Sequence, residues 1–556
     1  MRAHDTVLVA LVAALVAAPG AARAAGEAAL DTASMVVAGQ LAPRLQTLGS
    51  HEHPITTSSP RAQLFFNQGL LLSYGFNHRE AIRAFEEVVR LDPEAAMGYW
   101  GQALALAPNI NAPMDPADEG RAHALAQEAL ARLDVESDRE RDYVAALATR
   151  FSAAPDPDRP ALDRAYADAM RELHRKYPDD HDAATLFAEA LMDLSPWNYW
   201  NPDGTPHADT LEILRVIEGV QAANPDHPGA NHLYIHATEY VHPDLGEVAA
   251  DRLMDAVPGA GHLQHMPSHI YARVGRYADA SRSNEKAIAA DEDYIATCRA
   301  QGIYPLGYYP HNVHFLWWTT SLEGRSADSI AAARKTLART EHALEQLPEF
   351  THVFPVAPLF ALVRFGRWQE ILAEPPPPQG SVFWRGIHHY ARGLALARTG
   401  KHQEANQELA ALGQAQRDPH VRGKIIGGNT IDALLELAAA VLTGEIAFEE
   451  GRYGDALASL HRAVLLQDAL AYIEPPDWYY PVRQSLGAVL LAAGRAKEAE
   501  AVYWADLRES PENGWSLFGL AKALRAQGKD EQAVVVEARF AKAWAAADVQ
   551  LPASRF

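Results

Sequence analysis

Four glycine turns set the strongest constraint on this chain. Ala493-Gly494-Arg495 and Gln527-Gly528-Lys529 lie 34 residues apart, and so do Phe365-Gly366-Arg367 and Thr399-Gly400-Lys401. Between the turns run Ala-rich segments punctuated by Gly and Pro, a composition that favours close-packed helices over strands. A repeat of this length holds two helices and a turn, and no single repeat can bury its own apolar face. Such a chain must stack its repeats along one direction. The expectation is an all-α solenoid.

Residues spaced within each repeat support that frame. Counting from Ala62 as position 1 gives small Gly69 at 8, Phe76 at the turn near 15, Ala81 at 20, Phe85 at 24, Val88 at 27 and Pro93 at 32. Counting from Gly261 gives Ser268, Gly275, Ala280, Asn284 and Ala287; from Leu437 it gives Gly444, Gly451, Ala456, Leu460 and Ala463. Units starting at Tyr480 and Gly514 contribute Gly487 and Ala499, then Ala521 and Ala533. Small residues let adjacent helices approach, and the large ones fill the space between them. The chain thus resembles the tetratricopeptide repeat family, in its exported bacterial form, over most of residues 60–547. The resemblance implies a right-handed superhelical solenoid of helix-turn-helix repeats. Expected segments are a signal peptide at 1–24, a leader at 25–59, a first array at 60–372, a Pro-rich connector at 373–380 and a second array at 381–556. Insertions interrupt the first array, among them the stretch from Ser195 to Pro202.

With 556 residues, 48% of them hydrophobic, the chain can bury a large core. A net charge of -22 and the lack of a basic stripe argue against nucleic acid as a partner. A single cysteine, Cys298, excludes an internal disulfide and thiolate metal clusters; it reads as a small buried hydrophobe. Arg2, the apolar run Val7 to Ala18 and the small-x-small triplet Ala22-Arg23-Ala24 have the form of a secretory signal cleaved after Ala24. A periplasmic or secreted protein without a membrane span is expected.

Chemistry concentrates in the histidines, 24 in all. His232, His236 and Glu239 stand at i, i+4 and i+7; His262, His265 and His269 at i, i+3 and i+7; His311 and His314 at i, i+3. On a regular helix each trio falls within an arc of roughly 60°. In tetratricopeptide proteins, positions 2, 5, 9, 12 and 13 of the first helix line the concave groove. Starting a repeat at Gly261 puts His262, His265 and His269 at 2, 5 and 9 and Arg273 at 13. Starting one at Pro310 puts His311 and His314 at 2 and 5. Counting from Pro225 starts a third at Pro228, with His232, His236 and Glu239 at 5, 9 and 12; counting back from Ala249 and Ala256 shifts that register by two. Pro267 disfavours helical geometry at Met266, so His262 and His265 lie either before a kink or in a loop.

Seven imidazoles crowded together must be largely neutral, and neutral imidazole is a good metal ligand. His232, His236, Glu239, His262, His265, His269, His311 and His314 are therefore the expected ligands of a divalent transition metal: copper, iron or zinc, as one ion or two. The rival reading is a set of polar groove residues that recognise a peptide. Arg273, Asn109, Asn111 and Trp200 are the candidate contacts for a bound small molecule or peptide, against structural roles in a salt bridge, a loop and an insertion. The zinc-protease motif is absent, because Leu233 follows His232 where a glutamate would be needed. Three functions stay open: a metal-dependent oxidoreductase acting on a small organic substrate, a non-catalytic scaffold for a peptide or envelope partner, and a metal carrier.

Overall fold

The computed structural model describes residues 39–45, 47–298, 304–340, 353–378 and 381–556. The expected signal peptide and the first part of the leader lie outside the described residues. Helices dominate, and the one sheet among the described residues is a two-residue ribbon, Ile425–Ile426 against Asn429–Thr430. No helix among the described residues is long and apolar enough to cross a membrane.

Two compact units divide the chain. Among the described residues, the first comprises those from 39 to 270 together with those from 285 to 305, and the second those from 271 to 284 and from 306 to 556. The proline run Pro375 to Pro378 lies inside the second unit. Helices of the first part of the chain are α1 Pro60–Tyr74, α2 His78–Leu91, α3 Ala96–Leu106, α4 Glu119–Leu130, α5 Asp138–Ala148, α6 Arg159–Lys176 and α7 His181–Met192. They continue with α8 Thr210–Ala223, α9 Pro228–Thr238, α10 Pro243–Leu253, α11 Gly261–His265, α12 Pro267–Arg273 and α13 Tyr277–Cys298. The second unit then runs from α14 Tyr309–Leu322 and α15 Ser326–Thr340 to a last pair, Gly514–Ala526 and Asp530–Ala543.

Local chemistry explains the starts and stops. Ser59 accepts from the Ala62 N–H with Pro60 at the first turn of α1, and Ser137 and Glu140 form a reciprocal capping box on α5. Gly275, Gly324, Gly366, Gly400, Gly451, Gly494 and Gly528 all have positive φ at helix ends, as the 34-residue turns require. Small and large residues interlock as the repeat predicts. A Cβ on Gly69 or Gly101 would stand 2.6 or 2.4 Å from the Phe85 ring, and Gly487 and Gly519 meet Tyr503 in the same way at 2.4 and 2.2 Å. Cys298 is buried, as expected for a small apolar side chain.

Two sequence ambiguities are settled here. Helix α9 begins at Pro228 and α10 at Pro243, the register counted from Pro225. The chain stays helical through His262 and His265 in the short helix α11, which gives way to α12 at Pro267. Pro267 divides two helical turns and does not push the histidines into a loop.

Candidate functional site

Helix α9 packs against α1 and α7 as well as its sequence neighbours, which brings its histidines to the end of α1. His232, His236, Glu239, His262, His265 and His269 are all between 0% and 7% exposed. Burial on this scale is costly for polar groups unless they are hydrogen-bonded or hold something. The pattern of partners shows which atoms are already committed.

His232 sets Nδ1 2.7 Å from the Tyr74 carbonyl oxygen. A carbonyl can only accept, so this nitrogen carries the proton and Nε2 carries the lone pair. His236 sets Nδ1 3.3 Å from Glu239 Oε1, with the same consequence. The Nε2 atoms of His232 and His236 are buried and make no hydrogen bond among the described residues. His262 completes the group: one ring nitrogen from each of His232, His236 and His262 lies within 4.8 Å of the others. One N–H tied to a carbonyl or carboxylate and one bare lone pair facing its neighbours is the arrangement in which histidine ligates metal. The residues fit a metal ion.

Electrostatics agree. Burial first, then the neighbouring imidazoles, push His232 and His262 well below the ordinary histidine value. Burial also lowers His236, outweighing the pull of Glu239. All three rings are neutral near pH 7. Burial works to raise the Glu239 carboxyl, but His269 and His236 beside it prevail and hold it below the ordinary value.

Glu239 serves two rings, with His269 Nδ1 3.1 Å from its Oε2. His269 Nε2 is in turn 2.8 Å from His265 Nε2, and His265 Nδ1 is 3.4 Å from Ser268 Oγ. One set of tautomers satisfies these contacts: Ser268 donates to His265 and His265 to His269, which leaves His269 Nδ1 in ion-pair range of Glu239. These groups bring exchangeable protons up to the carboxylate that also orients His236.

Aromatic rings wall the group. Phe76 lies 4.7 Å from His232, 5.2 Å from His262 and 6.0 Å from His236, centre to centre, and Trp197 stands edge-on to His236 at 4.9 Å. Among the described residues only Phe76, Trp197 and Glu512 are non-glycine residues with positive φ. Two of the three touch this cluster. A bulky residue in the left-handed region costs of order 1–3 kcal/mol, and such strain collects at functional sites. Phe76 occupies the turn slot that glycine fills in other repeats. That substitution was visible in the sequence, but its meaning was not.

Trp200 Nε1 donates to the Ala237 carbonyl at 2.7 Å, which fastens the Ser195 to Pro202 insertion onto α9. Asn109 Oδ1 accepts from the N–H groups of Asn111 and Ala112 at 2.8 and 3.1 Å and so shapes its own loop. It also lines a cavity of about 20 Å³ with Tyr74 and His78, room for a single water. Arg273 belongs to the second unit, 3.9 Å from Glu474 and above the Tyr472 ring. His311 and His314 belong there too. His311 is half-buried against Phe315, and His314 is buried against Trp317 and Phe354.

Residues 62–94 match the tetratricopeptide repeat. No curated protein matches the chain. Among solved structures it is similar to the human IFIT1 dimer with m7Gppp-AAAA, at 11% identity and TM-score 0.30, over 88% of this chain and 91% of that one. It is also similar to Ypp1, at 8% identity and TM-score 0.41 over 88% of each, and to yeast Tom70, at 10% and 0.27 over 87% and 90%. The capped RNA belongs to IFIT1. Residues 62–94 match this repeat, and the paired helices of the described residues make an all-α repeat architecture.

Proposed function

We propose that the first unit is a metal-binding module in which His232, His236 and His262 ligate one divalent transition ion. The observation that carries this reading is the pair of buried, unpartnered Nε2 atoms on His232 and His236, each on a ring whose Nδ1–H is already spent. Glu239 and the Tyr74 carbonyl then act as the outer acceptors that fix ring orientation, a role that commonly changes metal affinity by 10–100-fold. Three imidazoles leave further coordination positions open, as in catalytic zinc, copper and non-haem iron sites. An ion there would act as a Lewis acid or a redox centre on a small organic substrate. Ser268, His265 and His269 would hold exchangeable protons beside it.

A carrier role uses the same ligands without turnover, and oxygen uptake with a panel of small substrates separates the two. The second unit, with its regular 34-residue turns, supports a further role as a docking surface for a peptide or protein partner, the usual use of this repeat. The decisive measurement is elemental analysis of the natively produced protein beside a His232→Ala/His236→Ala variant. About one equivalent more metal in the wild type than in the variant is the expected result. Equal and negligible metal in both would sink the proposal.

A further inference from the structure

Each unit carries a non-helical segment laid across its helices, and the two are fastened differently. In the first unit, residues 47–59 give their backbone N–H groups to helix side chains: His53 to Asn67, Ile55 to Gln63, Thr56 to Glu140 and Ser58 to Asp92. Their histidines close on Asp182, the second residue of α7. Its Oδ1 takes His51 Nε2 at 2.9 Å, His227 Nε2 at 3.1 Å and the Tyr74 hydroxyl at 2.7 Å; its Oδ2 takes His53 Nδ1 at 2.8 Å. His227 Nδ1 accepts the Ala230 N–H at 3.1 Å as the cap of α9. This segment cannot leave without stranding buried donors, and it is part of the fold.

In the second unit, residues 549–556 follow the last helix. None of their backbone N–H groups donates a hydrogen bond to the described residues. Asp548 anchors the near end by accepting from the Ser326 and Ala327 N–H groups at 2.7 and 2.9 Å, at the start of α15. The far end meets groove positions of three repeats. With the glycine turns at position 15, Arg398 stands at 13, Glu445 and Glu449 at 9 and 13, and Gln484 at 5. Ser554 is buried, its Oγ donating to the Gln484 carbonyl at 2.7 Å and meeting the Tyr503 hydroxyl at 2.7 Å. Arg555 lies 3.1 Å from Glu445 Oε2 and over the Phe448 ring. Arg398 Nε donates to the Phe556 backbone oxygen at 3.2 Å, while its other nitrogens hold Glu445 and Glu449. The Phe556 ring is 5.9 Å from Trp515, and its Cβ lies so close to Gly366 that a Cβ there would stand 2.8 Å away. Two groove carboxylates thus face one groove arginine, and Arg555 supplies the missing positive charge.

Resting on the docking reading of the second unit, we propose that residues 549–556 are the resident ligand of this groove. A partner segment with a hydroxyl, an arginine and an aromatic residue in succession binds there by displacing them. Attachment through side chains, with no backbone N–H committed, lets the segment leave while the groove helices stay paired. Until it leaves, the groove is closed to others. A tethered segment competes at an effective concentration on the order of millimolar, so a free peptide at micromolar concentration meets an occupied site.

The probe is a fluorescently labelled peptide of residues 549–556, titrated with the full chain and followed by anisotropy. Arg555→Glu/Phe556→Ala in the full chain loosens the resident segment and should tighten binding of the peptide by about tenfold or more over wild type. The same peptide carrying Arg555→Ala should bind that variant about tenfold more weakly, a change that cannot unfold the protein. Circular dichroism melting checks the variant, and Ser554→Ala takes its place if it does not fold. Equal binding by wild type and the folded variant, or no loss from Arg555→Ala in the peptide, overturns the proposal. Peptides selected from a random library on the loosened variant separate the two failures. Binders without the hydroxyl, arginine and aromatic pattern overturn this ligand and keep the docking groove; the lack of any binder overturns both.

Discussion

The two polar clusters of the first unit use the same residue types to opposite effect. Around His232 and His236 each ring spends its Nδ1–H on a neighbouring acceptor and leaves its other nitrogen bare. Around Asp182 the side chains turn their donors onto one carboxylate, which accepts at both oxygens. Histidine count is therefore a poor guide to metal. The position of each proton, set by what the second ring nitrogen touches, decides whether a buried imidazole is a ligand or a prop.

Each expected outcome breaks or sharpens that contrast. The largest is chemical: His232→Ala/His236→Ala abolishes metal at the three-histidine centre in elemental analysis, whereas Asp182→Asn leaves that metal in place. Next is the mirror effect on stability. Asp182→Ala strands four donors, three on histidines and one on Tyr74, and should cost about 3–5 kcal/mol in chemical denaturation; a loss below about 1 kcal/mol would mean that the carboxylate is no hub. His314 of the second unit supplies a control, a histidine neutral through burial alone. Burial against Trp317 and Phe354 lowers it to about 3. The unfolded chain protonates that ring near pH 6.5 while the folded one does not, so its contribution is present above pH 6.5 and lost as pH falls toward 3. Wild type should lose about 2 kcal/mol relative to His314→Leu between pH 6.5 and 5, read from paired urea titrations. Parallel curves would refute it. Smallest is Glu239→Gln, which keeps the shape but removes the charge. Metal affinity there should fall about tenfold by competition with a chelator, with little change in melting temperature.

Much of this architecture was legible before any coordinates. Turn spacing and the small residues at Gly69, Gly487 and Ala521 identified the repeat, because backbone turns and close helix contacts restrict residue type wherever they recur. The same register placed α9 at Pro228 and gathered His232, His236 and Glu239 on one helix, and His262, His265 and His269 on consecutive turns. It missed Tyr74, whose contribution is a carbonyl oxygen with no residue signature. Phe76 was read only as the turn residue of its repeat, and residues 39–59 only as part of a leader, although His51 and His53 there reach Asp182 across more than a hundred residues of chain.

The chain alone determined that helices would pair at a 34-residue interval and that histidines would share faces, since both follow from periodicity along one helix or one repeat. Only the folded molecule decided which nitrogens are bare. That depends on acceptors delivered from distant segments, a Tyr74 carbonyl, an Ala230 N–H and an Asp182 carboxylate, and such pairings are set by packing, where local spacing has no say.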